Sequence, residues 1–253
     1  MDIYNFHHKI HLGRAWIKHE KDFPKHRLGL TKKDIKGKIV LEVGCGAGNY
    51  LQYYSKFKPK ILYGIDSSVE AIKQCNIKFH KNFRIYPMRL NVFDLSKYFN
   101  RNYFDIIYST GVLHHTGNTE KVFKSLIPFL KKGGIISICV YEKRNYDLTL
   151  SLWRKVTVKL PHQIVYVLSL ALTPFSYLFK YIKPLAIFQY FIPVPIIEKD
   201  DFQYIWSCIF DDLTVEHLQT HTVPEVFKWF KDMGLKEIEI LEPSVSIKGI
   251  LLD

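Results

Sequence analysis

Short apolar runs and amphipathic stretches alternate along the chain from about residue 38 onward. Lys38-Ile39-Val40-Leu41-Glu42-Val43, apolar apart from Lys38 and Glu42 and bounded by glycines, predicts a buried strand, and Tyr50 to Phe57 predicts the helix after it. Ile61 to Asp66 predicts a second strand, and Ser68 to Phe79 a second helix started by a serine cap. Phe83–Leu90, Tyr103–Ser109 and Ile135–Tyr141 predict three further strands. Between the last two, Val122, Phe123, Leu126, Phe129 and Leu130 recur at helical spacing over Thr119–Leu130. Near the end, Pro224–Met233 predicts a helix closed by Gly234, followed by strands at Glu237–Leu241 and Val245–Leu251. Strand and helix alternating at this period predict parallel pairing through right-handed crossovers, and so a doubly wound α/β sheet that takes ligands at the carboxyl ends of its strands.

Two stretches depart from that rhythm. Residues 1–36 predict a polar, partly helical leader with scattered aromatics (Tyr4, Phe6, Trp16, Phe23), whose His7, His8, His11 and His19 are expected to face solvent. Residues 160–197 are rich in Leu, Ile, Val, Phe, Tyr and Pro, and 164–179 carry no charge. A membrane-spanning helix needs about 20 apolar residues; this run is shorter, holds Pro174 and is followed by Lys180 and Lys183. Because it follows the fifth strand, it is expected to form a helical lid over the site. Peripheral membrane contact through residues 160–197 is the alternative, since Arg154, Lys155, Lys159, Lys180 and Lys183 flank an apolar body.

Composition narrows the class. With 253 residues, 47% hydrophobic and 24% charged, the chain is long enough to bury a full core, which excludes a disordered or collagen-like protein. The formal net charge of +12 invites a nucleic-acid reading, but it is mostly lysine, whereas arginine's planar fork is what base-edge and phosphate recognition favour. The excess also stops at residue 200, after which four basic residues face eleven acidic ones. Cys45, Cys75, Cys139 and Cys208 lie far apart without a C-x-x-C pair, so no metal site or disulfide framework is expected. The opening residues Met1 to His8 lack a basic region followed by an apolar core, and a reducing cytoplasm is the simplest compartment.

The densest chemistry lies at Val40-Leu41-Glu42-Val43-Gly44-Cys45-Gly46-Ala47-Gly48-Asn49-Tyr50. Alternate glycines directly after a strand let the backbone turn sharply and approach a ligand closely. Asp66 ends the next strand, where an acid can accept from both hydroxyls of a ribose. A dinucleotide fingerprint would need Gly or Ala at the third site of G-x-G-x-x-G, which here is Asn49. Glu42, inside the strand, suits a cationic ligand such as an ammonium or sulfonium better than a pyrophosphate.

On these residues the chain resembles the class I S-adenosylmethionine-dependent methyltransferases, in the small-molecule group called methyltransferase type 11 or 12. The resemblance runs over about residues 36–142, through LEVGCGAGNY, YGID, FDIIYSTGVLHHTGNTEKVF and LKKGGIISICVYEK, and continues more weakly through FDDLTVEHLQTHTVPEVFKWFKDMGLKEIEI. It implies a Rossmann-like, seven-stranded doubly wound sheet with an antiparallel last strand and a hydrophobic insertion after the fifth strand. The divisions are then a leader over 1–36, a cofactor domain over 37–145 and 201–253, and a lid over 146–200. It implies S-adenosylmethionine as cofactor, with Gly44, Cys45, Gly46 and Gly48 lining its methionine part, Glu42 near its amino group and Asp66 on its ribose. Ser67 and Ser68 would flank the adenosine, Asn91 meet the adenine amine and Val92 stack on the ring, with Asp94 the alternative to Asn91 and Ser109 completing the pocket.

Methyl transfer calls for an in-line acceptor, an enclosed pocket and often a base. His114 and His115, directly after the fourth strand, are the candidate bases. Tyr141 and His221 are candidate substrate contacts, with Tyr108, Glu142 and His217 further out. The apolar lid points to a small hydrophobic or aromatic acceptor such as a quinone, a lipid or a secondary metabolite. A tRNA or rRNA acceptor is one alternative, not favoured because Ser109-Thr110-Gly111-Val112 is not an Asn/Asp-Pro-Pro-Tyr/Phe motif. A non-catalytic or membrane-associated assembly protein is the other.

Overall fold

The computed structural model describes residues 23–197, 201–242 and 245–252. The leader aromatics Tyr4, Phe6 and Trp16 and the four N-terminal histidines lie outside the described residues. What is described of the leader is two short helices, α1 (Phe23–Leu28) and α2 (Lys32–Ile35), the second started by a capping box between Thr31 and Asp34.

Seven strands follow: β1 (Ile39–Val43), β2 (Ile61–Asp66), β3 (Ile85–Arg89), β4 (Phe104–Thr110), β5 (Leu130–Val140), β6 (Leu235–Leu241) and β7 (Val245–Leu251). They form one sheet in the order β3-β2-β1-β4-β5-β7-β6. β1 pairs in parallel with β2 and β4, while β7 runs antiparallel to both β5 and β6. A central strand covered on both faces must be apolar throughout, and β1 is buried from Val40 to Val43 with Glu42 its single charged residue. On one face α3 (Asn49–Ser55) and α4 (Val69–Phe79) bury Leu51, Tyr54, Ile72 and Phe79. On the other, α5 (Thr119–Leu126) supplies Phe123, which stacks on Phe230 of a late helix at 4.7 Å. Local chemistry sets the helix starts: the Ser68 and Asn118 side chains accept from the backbone of Ala71 and Lys121.

β5 begins five residues earlier than its apolar run. Lys131, Lys132, Gly133 and Gly134 read as a turn in sequence, but Leu130 pairs with Phe104 and Gly134 with Leu251, across an irregularity between Phe104 and Ile106.

The stretch after β5 is helical: α6 (Asp147–Thr157), α7 (His162–Tyr181), a 3-10 turn over Lys183–Tyr190 and α8 (Phe202–Thr214). These elements share a separate core built around Leu150, Val165, Leu172, Trp206 and Phe210. The Trp206 indole N–H donates to Ser169 Oγ at 2.8 Å, so α8 satisfies the serine at the middle of the buried side of α7. α8 shares this core, although it lies in the stretch from 201 onward that the sequence reading assigned to the cofactor domain. An amphipathic helix of α8's kind looks the same from either side of that boundary. The late helix α9 (Val223–Asp232) then leads into β6.

One ion pair anchors the insertion. Arg144 donates to both carboxylate oxygens of Asp212, at 2.7 and 3.2 Å, and to Asp147 at 3.1 Å, while Arg154 donates to the Asp212 carbonyl at 2.6 Å and to that of Val215. Removing one partner of a buried pair leaves an uncompensated charge. Asp212→Ala is expected to destabilise the protein by about 3 kcal/mol in chemical denaturation, and an unchanged midpoint would contradict this anchoring role.

Candidate functional site

The glycine loop is pinned from below. The Gly44 and Cys45 N–H groups both donate to the Ile65 carbonyl, at 2.8 and 3.0 Å, which ties the loop to the end of β2. The Asp66 carboxylate accepts from Gly46 N–H at 2.9 Å through one oxygen and from Ser68 N–H at 2.8 Å through the other. Gly44 and Gly48 both have φ of +77°. A Cβ on Gly44 would lie 2.3 Å from the Val112 side chain, and one on Gly48 would lie 2.5 Å from the Phe79 ring. The loop after β4 thus presses on the glycine loop at Val112, two residues before His114.

Beneath the loop, Glu42 is fully enclosed and accepts from the Tyr108 hydroxyl at 3.0 Å. Burial raises its carboxyl well above the usual carboxylate range, opposed by that hydrogen bond. A carboxyl held there ionises readily once a cation is set beside it. Cys45 and Cys75 flank the loop as buried thiols, and Cys75 donates to the Gly46 carbonyl at 3.1 Å.

The histidines sit in a 3-10 turn, Leu113–His115. His114 is fully buried, its ring 3.9 Å from that of Tyr141 and 4.1 Å from that of His115. Among the described residues neither of its ring nitrogens has a hydrogen-bond partner. Burial, and then the neighbouring His115, holds its pKa well below the usual imidazole range, so the ring is neutral. His115 donates from Nδ1 to the His217 carbonyl at 3.1 Å, and burial lowers its pKa as well. Tyr141 donates to Asp211 of α8 at 3.1 Å.

A strap over 215–222 crosses the site; sequence reasoning named its His217 and His221 but missed Gln219 and the backbone bonds that hold it. Gln219 N–H donates to the His114 carbonyl at 3.0 Å, and its side-chain oxygen accepts from the Thr119 N–H and hydroxyl, both at 2.8 Å. His221 N–H donates to the Tyr141 carbonyl at 2.9 Å. The available signal was the cluster of Glu216, His217, Gln219 and His221, polar residues with no helical or strand period.

The remaining expected residues fall in different places. Ser67 is exposed just beyond Asp66, and Asn91 caps the 3-10 turn Val92–Lys97 by accepting from Phe93 N–H at 3.0 Å. Val92 packs partly against the core, and Asp94 pairs with Lys97 at 2.7 Å. Ser109 is buried and donates to the Val43 carbonyl at 2.8 Å, joining β4 to β1. His221, expected at the substrate, has both ring nitrogens engaged, with Glu225 and with Thr119 at 2.9 Å each. That pairing makes it a fixture of the strap, and the structure does not bring its ring nitrogens to the site.

Comparison with known proteins agrees with this geometry. Residues 41–138 match the family described as a methyltransferase domain. The tRNA U34 carboxymethyltransferase of Helicobacter pylori (strain P12) is 38% identical over 106 residues, 40% of this chain and 40% of that protein. That of Campylobacter fetus is 33% identical over 124 residues, 47% and 42% of the two chains. The chain thus spans about two fifths of the length of these curated relatives. Among solved structures, a chain of the complex between the Haloferax volcanii Trm112 methyltransferase activator and a putative methyltransferase aligns over 100% of this chain and 99% of that one, with TM-score 0.60 and 13% identity. The CurJ carbon methyltransferase aligns over 99% of this chain and 54% of its own, with TM-score 0.55 and 12% identity. Both show the fold. The core of the chain is a class I S-adenosylmethionine-dependent methyltransferase domain, and its cofactor is S-adenosylmethionine.

Proposed function

We propose that, on this domain, the chain transfers the methyl group of S-adenosylmethionine to a small acceptor seated against His114. The observation that carries this reading is the enclosed His114 ring with neither nitrogen engaged among the described residues. Leaving a buried polar group unpaired costs about 1–3 kcal/mol, which an O–H or N–H of the acceptor offsets on binding. The ring also follows β4, whose loop abuts the glycine loop at Gly44 and Val112.

The residues fit the cofactor. A cationic amino end suits the buried Glu42 carboxyl, and Asp66, already oriented by two backbone donors, keeps lone pairs for ribose hydroxyls. Bound there, S-adenosylmethionine supplies an electrophilic methyl group on a sulfonium. His114, kept neutral by its surroundings, accepts the acceptor's proton as a general base, while the Tyr141 ring packed against it and the strap hold the imidazole in place. Enclosure by α8 and the strap keeps out water that would compete.

A second reading, an RNA acceptor, is favoured by the names of the Helicobacter and Campylobacter relatives. The small acceptor is preferred because His114 is fully buried, with His115 and Tyr141 half-buried against it. The test is incubation of the protein and methyl-labelled S-adenosylmethionine with bulk tRNA and, separately, with a solvent extract of cellular small molecules. Label in the extract supports the first reading, label in tRNA selects the second, and label in neither, with cofactor binding intact, rejects both.

A further inference from the structure

α7 has two apolar faces, and the insertion uses only one. Val165, Ser169, Leu172, Thr173, Ser176 and Phe179 are buried against the rest of the insertion. On the opposite side, Ile164, Val167, Ala171, Pro174, Leu178 and Tyr181 recur every three or four residues and face solvent, with Ile164 52% and Val167 63% exposed. A helix that only covers a site would carry polar residues there. At its C-terminal end this stripe runs into the 3-10 turn, where Ile187, Phe188, Tyr190 and Phe191 are exposed, Phe191 at 70%. Large apolar side chains massed in this way mark an interaction surface.

Charge identifies the partner. From 148 to 197 there is no acidic residue, while Arg154, Lys155, Lys159, Lys180 and Lys183 all fall within it. Arg154 is buried in the anchor described above, but Lys155, Lys159 and Lys183 are exposed. Lys155 lies on α6 beside the exposed Leu152 and Val156, and Lys159 follows just beyond the end of that helix. An apolar stripe bordered by lysines without a carboxylate complements an anionic lipid surface, with the apolar groups entering the headgroup boundary and the lysines meeting the phosphates. A protein partner would be expected to leave some acidic or hydrogen-bonding specificity on the face. α7, at 20 residues, is long and apolar enough to cross a bilayer, but one face of it is bound by Ser169 to Trp206 and by Ser176 to the Pro195 carbonyl, so it lies along the surface.

We infer that the outward stripe of α7, the adjoining 3-10 turn and the lysines at and just beyond the end of α6 dock the protein on an anionic lipid bilayer. This surface is independent of the methyl-transfer reading, and its test needs no acceptor. Co-sedimentation with vesicles of equimolar phosphatidylglycerol and phosphatidylcholine, against phosphatidylcholine alone, reads it directly. The wild-type chain is expected to partition to the anionic vesicles at least tenfold more strongly, and less so as salt is raised. Val167→Asp/Phe191→Asp is expected to lose at least tenfold, and Lys155→Glu/Lys159→Glu to lose more than tenfold, on the order of fivefold for each lysine. Unchanged thermal midpoints and unchanged S-adenosylhomocysteine binding certify that both variants are folded. Equal partitioning of wild type and variants, no partitioning to any vesicle, or a dimer in sedimentation that Val167→Asp dissociates would each overturn the proposal.

Discussion

Gly44→Ala is expected to weaken S-adenosylhomocysteine binding by at least about 100-fold, the scale of losing two or more well-placed hydrogen bonds. The backbone at Gly44 sits at φ +77°, which by itself costs an L-residue roughly 1–2 kcal/mol. The larger effect is steric. The new Cβ would meet three carbons of Val112 at 2.3 to 2.6 Å, and a β-branched side chain has no flexible end to swing away. Relief requires moving either the glycine loop, which carries the Gly46 N–H to Asp66, or the turn that carries His114. Gly37 provides the control. Its φ is +73° but a Cβ there meets nothing within 4 Å, so Gly37→Ala bears the conformational strain without the collision and should leave binding intact. Equal loss in both variants would mean that strain, and not the contact with Val112, sets the loop.

His114→Ala is expected to lower turnover about 100-fold on whichever acceptor takes the label, with cofactor affinity little changed. Its pH behaviour separates a base from a packing residue. Because the folded pKa lies well below the ordinary value, the ring stays unprotonated as pH falls through about 6.5, so turnover should hold there and fail only further down. The sign for stability follows from the same shift. Between the folded pKa and about 6.5 the unfolded chain binds the proton and the folded chain does not, so stability is full above about 6.5 and declines as pH drops below it. His114→Ala should flatten that decline. Turnover that falls with an apparent pKa near 6.5 in the wild type, or that survives the substitution, would remove His114 from the chemistry.

Much of the cofactor region was legible because its signals are local. A run such as IVLEV before alternate glycines states both a strand and a turn, and Asp66 ends its own strand. The Val245–Leu251 strand was read to the residue, since Pro243 and Ser244 mark its start and its residues are mostly apolar or β-branched. What the sequence left hidden depends on partners far along the chain. Arg144 and Asp212 are 68 residues apart, and nothing in either neighbourhood announces the other. His221 reads as a free imidazole until Thr119 and Glu225 are seen to occupy both its nitrogens. For residues 160–197 the sequence offered a lid or a membrane contact, but it did not show which residues of α7 face inward, because the buried side is half serine and threonine while the outward side is apolar.

The central claim is that the glycine loop and Asp66 form a cofactor site that adjoins His114. Calorimetric titration with S-adenosylhomocysteine of the wild-type protein, Asp66→Ala and His114→Ala tests it most directly. Saturable one-to-one binding by the wild type, loss in Asp66→Ala and retention in His114→Ala are expected. Absence of saturable binding by the wild type, or binding that survives Asp66→Ala undiminished, would contradict it.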